Sequence, residues 1–242
     1  MENIVVEIEH LKKSFGSHQV LNDISLKLEK GKNLVVLGKS GSGKSVLIKC
    51  LMGLLLPDDG KIILLGKNVA DLKEKELNVL RKKVGFLFQS AALYDSMTVR
   101  ENLEFPLRDK KEMTKEEKEV LVKEALENVG LENVIDEMPS ALSGGMRKRI
   151  GLARTLILKP EIILYDEPTT GLDPITSKEI SQLILGIQKK YNTAAIIITH
   201  DIECAKITAN TMLIIKDGTA IIEGTYQEIS TSKDEWVHSF FE

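Results

Sequence analysis

The stretch NLVVLGKSGSGKSVLIKCLMGLL (33–55) leaves the chain little freedom in how it folds. A short apolar strand, NLVVLG (33–38), runs into GKSGSGKS (38–45), a full match to G-x-x-x-x-G-K-[ST]. A helical pattern comes next, with Leu47, Cys50, Leu51 and Leu54 at i, i+3, i+4 and i+7. Strand, glycine loop and helix in this order predict an α/β fold with a phosphate cradle at one strand end. Gly38, Gly41 and Gly43 let backbone N–H groups turn inward on phosphate oxygens, and the helix N-terminus adds a favourable field. Lys44 is placed to reach the β- and γ-phosphates, and the Ser45 hydroxyl to ligate Mg²⁺. Lys39, Ser40 and Ser42 complete the loop.

The flanking sequence supplies more of the same architecture. IVVEIE (4–9), ISLKL (24–28), GKIILLG (60–66) and VGFLFQ (84–89) read as strands, the last ending at Gln89. Phe15, beside Gly16, reads on position alone as a packing residue. The character then changes. Thr98 with Glu101, and Thr114 with Glu117, are capping boxes that open helices, the first ended by Pro106. The second helix buries Leu121, Val122, Ala125, Leu126 and Val129, while RDKKEMTKEEKE (108–119) is a solvated charge run. Residues 90–158 therefore read as helices without strands, inserted into the α/β core.

Residues 141–174, ALSGGMRKRIGLARTLILKPEIILYDEPTTGLDP, hold three further elements in close succession. Ser143, Gly144 and Gly145 open a basic helix, so a serine N-cap and two glycines make a second place for an anion. The apolar strand EIILYDE (161–167) ends in two acids. Asp166 can hold Mg²⁺ through water, and Glu167 can orient or deprotonate an attacking water. Asp173 N-caps the next helix, with Pro174 at its first position. AAIIITHD (194–201) is a strand whose end presents His200, and Asp217-Gly218 joins the last two strands as a hairpin.

Composition narrows the partners. At 242 residues and 43% hydrophobic, the chain has room for one large domain with a subdomain, and a formal charge of −3 argues against a nucleic-acid partner. Cys50 and Cys204 lack metal-ligand spacing and read as small buried residues of a reducing compartment. The N-terminus does not read as a signal peptide, the tail leaves no room for a regulatory domain, and no apolar run approaches bilayer length. A membrane role must then run through a partner.

Phosphate loop, Gln89, LSGGM (142–146), ILYDE (163–167), GLDP (171–174) and His200 occur in the order of the ATP-binding-cassette (ABC) ATPases, and the resemblance spans nearly the whole chain. It implies one nucleotide-binding unit over 1–242: a P-loop, RecA-like α/β core, a helical subdomain over about 90–158 and an antiparallel β subdomain. It also implies ATP and Mg²⁺. Phe15 resembles the aromatic that stacks on adenine, which reverses its positional reading. Gln89 resembles the glutamine that joins Mg²⁺ and water to the helical subdomain, His200 the residue that contacts the γ-phosphate, and Asp173 belongs to the nucleotide contacts. Two such sites on a chain with one phosphate loop point to different ATPs, and the resemblance implies a head-to-tail homodimer in which Ser143–Gly145 face the ATP of the other copy. Closure on two ATP–Mg²⁺ would pull on transmembrane permease subunits docked near Gln89 and 90–105.

Two departures refine the resemblance. Met146 stands where most members have Gln, and FLFQSAALYDSMTVRENLEFPLR (86–108) has its own wording. Both resemble the ATPases of Mla-type phospholipid transporters, which work with Mce-type lipid-binding proteins. That implies a peripheral subunit on the cytoplasmic face of the inner membrane. The alternatives are an ATPase for another transported substrate, such as polar amino acids or lipoproteins, or a soluble non-transport member. Lys39, where the family often has Pro, adds local positive charge.

Overall fold

Two hydrophobic periodicities divide the strands, and they correspond to two sheets. The computed structural model describes residues 3–241; Met1, Glu2 and Glu242, the ends of the expected 1–242 unit, lie outside the described residues. The first half holds β1 (Ile4–Phe15), β2 (His18–Glu29), β3 (Asn33–Leu37), α1 (Lys44–Leu51), β4 (Asp59–Leu64), β5 (Lys67–Asn68), α2 (Glu74–Arg81) and β6 (Val84–Leu87). Helices α3 (Val99–Glu104), α4 (Lys115–Glu127) and α5 (Gly144–Leu156) succeed one another without an intervening strand. The chain then runs through β7 (Ile162–Asp166), α6 (Pro174–Tyr191), β8 (Ala194–Ile198), α7 (Ile202–Thr208), β9 (Thr211–Lys216) and β10 (Thr219–Gly224). It closes with α8 (Tyr226–Ser230) and α9 (Glu235–His238).

β1, β2, β4 and β5 form an antiparallel sheet in the order β2-β1-β4-β5, and in β2 buried and exposed residues alternate, as a half-buried sheet requires. The other sheet has the order β10-β9-β3-β8-β7-β6 and is parallel except for β10. Its central strands β3 and β8 are buried at every position, because protein covers both faces. Successive residues still separate by face. Leu34 and Val36 join a core shared with β1, β2 and α1, whereas Val35 and Leu37 join one built with α5, α6 and α7. Each buried Leu or Ile contributes roughly 1.5–3 kcal/mol. Asp217 and Gly218 both have positive φ, as a tight hairpin demands, and this turn meets β2 through Asn22 N–H donating to Gly218 O at 2.7 Å.

α5 is the hinge-pin between regions. Leu152 and Leu156 face the second core, while Ile150, Ala153 and Ile157 face a third core made with α3 and α4. Gly151 allows this close approach: a Cβ there would lie 2.9 Å from Ala91 Cβ and 3.0 Å from Leu87 Cδ1. Both expected capping boxes are present at Thr98 and Thr114, and Asp173 caps α6 with Pro174 in the first turn.

Local expectations fail in two places. Leu54 is not on the buried face of α1, being 63% exposed. The helix stops at Leu51 because Gly53 turns left-handed and the Arg81 guanidinium takes the carbonyls of Met52 and Gly53. Pro106, by contrast, ends α3 as expected, the helix stopping at Glu104. It sits in a 3₁₀ turn, Phe105–Leu107, where its missing N–H is harmless. Of the expected buried face of α4, Leu121 is only half-buried.

Candidate functional site

Parallel pairing brings three strand ends to one edge. Val36 of β3 lies opposite Ile198 of β8, and Ile198 lies opposite Asp166 of β7. The segments leaving these strands must therefore converge: the glycine loop after β3, Glu167 after β7, His200 after β8. Gln89 arrives the same way, two residues beyond β6, which pairs with β7. A cavity of about 650 Å³ opens there. Gly38, Lys39, Ser40, Gly41, Gly43, Lys44, Ser45, Gln89, Asp166, Glu167 and His200 line it, joined by Val20 from β2.

The loop is shaped for an anion. Gly41 and Gly43 have φ of 83° and 100°, and a Cβ on Gly43 would meet Leu21 Cδ2 at 2.7 Å and Val20 O at 2.8 Å. The N-terminus of α1 has no side-chain cap, and Ser42 Oγ is buried without a hydrogen-bond partner. Lys44 Nζ donates to Gly38 O at 2.7 Å and to Lys39 O at 3.0 Å, which leaves one of its three donors for a ligand. Burial pushes the Lys44 ammonium below its ordinary range, opposed by Glu167 and Asp166. A phosphate group fits this donor set, since it would compensate a buried cation whose hydrogen bonds go only to neutral carbonyls.

The acids opposite are held unevenly. Asp166 is pushed above the usual carboxylate range by burial and then by its neighbour Glu167, with Lys148 and Lys44 pulling the other way. Glu167 has φ 50°, rare for a residue with a side chain, and turns the chain out of the strand. Its N–H donates to Ile198 O at 2.8 Å, and its carboxylate receives Thr170 Oγ1 at 3.1 Å. His200 Nδ1 lies 2.8 Å from the same Oε2. Ser45, Gln89 and Asp166 bring oxygen donors to the cavity, the chemistry a hard cation takes.

Lys148 is the residue that sequence reasoning missed. Within MRKR it reads as one more solvated charge, yet it is buried. Its Nζ donates to Gln89 O at 2.5 Å and to Glu167 O at 2.9 Å, so one ammonium fastens the Gln89 loop to the Glu167 turn. Burial lowers its pKa against the pull of Glu167 and Asp166. Helical spacing was the available signal, since Lys148 lies four residues from buried Leu152 and three from Gly151. Farther along α5, half-buried Arg154 donates to Ala91 O at 3.0 Å, pinning a loop in which Ala91 and Ala92 both have positive φ.

Besides Ser42, which is buried within the loop, five expected site positions lie outside the lining of this cavity. Phe15, at the tip of the β1–β2 hairpin, is 49% exposed. Ser143 caps α5, its hydroxyl accepting from Met146 N–H at 3.2 Å. Gly145 packs on α6 so closely that a Cβ would lie 2.5 Å from Thr176 Cγ2, and Gly144 neighbours Leu172. Asp173 accepts from Ile175 N–H, Thr176 N–H and Thr176 Oγ1, bonds that lower its pKa, led by the hydroxyl. The Ser143–Gly145 turn and the 171–176 turn thus form one patch outside the lining of the cavity.

Comparison with known proteins agrees with this arrangement. Residues 21–170 match the family model described as ABC transporter. A probable ribonucleotide transport ATP-binding protein mkl of Mycobacterium leprae is 39% identical over 98% of this chain and 68% of its own length. The intermembrane phospholipid transport system ATP-binding protein MlaF of Haemophilus influenzae is 36% identical over 99% of this chain and 91% of its own. Among solved structures, the dimeric bacterial ABC transporter cassette MJ0796 superposes with a TM-score of 0.83 at 30% identity, covering 91% of this chain and 98% of that one.

Proposed function

The chain belongs to the ABC transporter family and is an ATPase of it, and from that premise we propose that it powers phospholipid movement through separate membrane subunits. We read 1–242 as one nucleotide-binding unit. The observation that carries the reading is the cavity where Lys44, Gln89, Asp166, Glu167 and His200 meet at one sheet edge. Glycine-loop N–H groups and Lys44 bind the phosphates of ATP. Glu167 takes the proton of the attacking water, and His200, in contact with the Glu167 carboxylate, keeps that carboxylate aimed. Ser45, Gln89 and Asp166 would hold Mg²⁺, which when bound offsets charge on the phosphates. Phe15 offers an exposed ring to adenine.

Two copies pair head to tail, so that Ser143, Gly144, Gly145 and Asp173 of one reach the nucleotide of the other. The patch these residues form outside the lining of their own cavity supports this, as does the likeness to a dimeric cassette. A nucleotide touched by both copies favours the closed pair by its differential contacts. No helix among the described residues is long and apolar enough to cross a membrane. The membrane subunits dock near Gln89, where Phe88 and Tyr94 are exposed and α5 ties the loop to Glu167. The subunit thereby sits peripherally at the cytoplasmic face.

For the substrate class, the full-length match to a phospholipid-system ATPase and the wording around Met146 support lipid, with an Mce-type protein in the assembly. The 39% identity to a protein named for ribonucleotide transport supports a second reading, another cargo. Affinity purification from detergent-solubilised membranes separates them. An Mce-domain protein among the copurifying subunits is expected, and a soluble solute-binding protein in its place would overturn the lipid assignment.

A further inference from the structure

Trp236 is the chain's one tryptophan, and the side chain of Lys39, in the phosphate loop, reaches over its ring. Lys39 Nζ is 5.7 Å from its ring centroid and Lys216 Nζ 4.7 Å, both within cation–π range. Lys39 also lines the phosphate cavity. The ring is held from its own side. Asp234 accepts from Trp236 N–H at 2.9 Å and Val237 N–H at 3.2 Å, Val237 is buried in the second core, and Phe240 packs edge-on at 4.9 Å.

Two ammonium groups sharing one ring repel each other, and Lys39 is the more distant. A phosphate offers it a full negative charge where the ring offers only a quadrupole. We propose that Lys39 divides between the Trp236 ring and the nucleotide phosphates, making Trp236 a positioning residue that moderates and reports nucleotide binding. This rests on the nucleotide reading of the cavity. Lys216, seated closer, stays on the ring and keeps α9 docked while Lys39 crosses. The carboxy-terminal helix thus acts on the phosphate loop without touching a phosphate, and the lysine that departs from the family pattern acquires a purpose.

The test pairs tryptophan emission with calorimetry on the full chain, titrated with ATP and Mg²⁺. Emission should change with the calorimetric midpoint, and Lys39→Gln should bind more weakly and lose most of that change. Trp236→Leu, which frees Lys39, should bind ATP about two- to fivefold tighter, the worth of one exposed cation–π contact. Trp236→Phe, which keeps a ring, should return to wild-type affinity, and in a Lys39→Gln background Trp236→Leu should no longer tighten binding. Merely structural damage would weaken binding in both backgrounds. Calorimetric binding with unchanged emission, or an emission change that survives Lys39→Gln, overturns the proposal; if Trp236→Leu fails to fold, these two measurements still decide. Absence of calorimetric binding would overturn the nucleotide reading itself, and this proposal with it.

Discussion

Two glycine-bearing turns each open a helix in this protein, and they are finished to different degrees. The 38–45 loop meets buried lysines, two carboxylates and a histidine supplied by its own chain. Its helix has no side-chain cap, so its N–H groups await a ligand. The 143–145 turn satisfies itself, with Ser143 capping α5, and it packs against Leu172 and Thr176 instead of entering its own cavity. One turn lines a cavity together with groups of its own chain. The other lies outside that lining, and that difference is what a head-to-tail pair would use.

The comparison can be broken most sharply at Glu167. Glu167→Gln should lower steady-state ATP hydrolysis by about a hundredfold or more while nucleotide binding persists. Turnover near wild type in that protein would remove Glu167 from its role as base. Next comes complementation. Lys44→Ala and Ser143→Arg should each be nearly inactive, but mixed copies hold one site in which both turns are intact. Mixing should then restore roughly a quarter of wild-type activity, since half the pairs carry one good site of two. If both turns served the same chain's ATP, mixing would restore nothing.

Lys148→Met sharpens the view of how the first site is held. Losing the tie between the Gln89 and Glu167 carbonyls should lower kcat about tenfold with little change in the KM for ATP. An unchanged kcat would mean that the tie is idle. Asp166→Asn probes the strain of an unliganded acid. Because the folded state raises the Asp166 pKa, its contribution to stability is intact below the ordinary carboxylate range and lost as pH rises through the raised value. Asp166→Asn should therefore melt about 2 °C or more above wild type at neutral pH, with the gap closing in acid. A constant gap across pH would contradict the assignment.

The smallest effect belongs to the second turn. The Met146 side chain packs on the helical core, and it is the backbone N–H of Met146 that Ser143 caps. Met146→Gln should leave ATPase activity within about threefold, because neither cap nor anion donor changes. A tenfold rise would show that the departure at Met146 holds activity back.

Much of this was legible in order along the chain. The phosphate loop, both capping boxes, the Asp173-Pro174 helix start, the hairpin at Asp217-Gly218 and the buried cysteines are local matters of spacing, caps and turn chemistry. Leu54 was misread because a helix end depends on partners far away, here the Arg81 guanidinium. Lys148 was illegible as a functional group for a related reason: charge and burial conflict in sequence, and only the facing carbonyls of Gln89 and Glu167 resolve the conflict.

Sequence by itself supplied the candidates for phosphate and metal groups, since glycine φ, lysine reach and carboxylate chemistry are properties of residue types and short spacings. Tertiary structure decided which of them share a cavity. Strand order β3-β8-β7-β6 carries residues from 38, 89, 167 and 200 to one edge, and the same packing leaves Ser143–Gly145 outside it and brings the distant Trp236 within reach of Lys39. Pairing between strands distant in sequence is fixed by the burial of whole faces, a sum over many residues that no single motif contains.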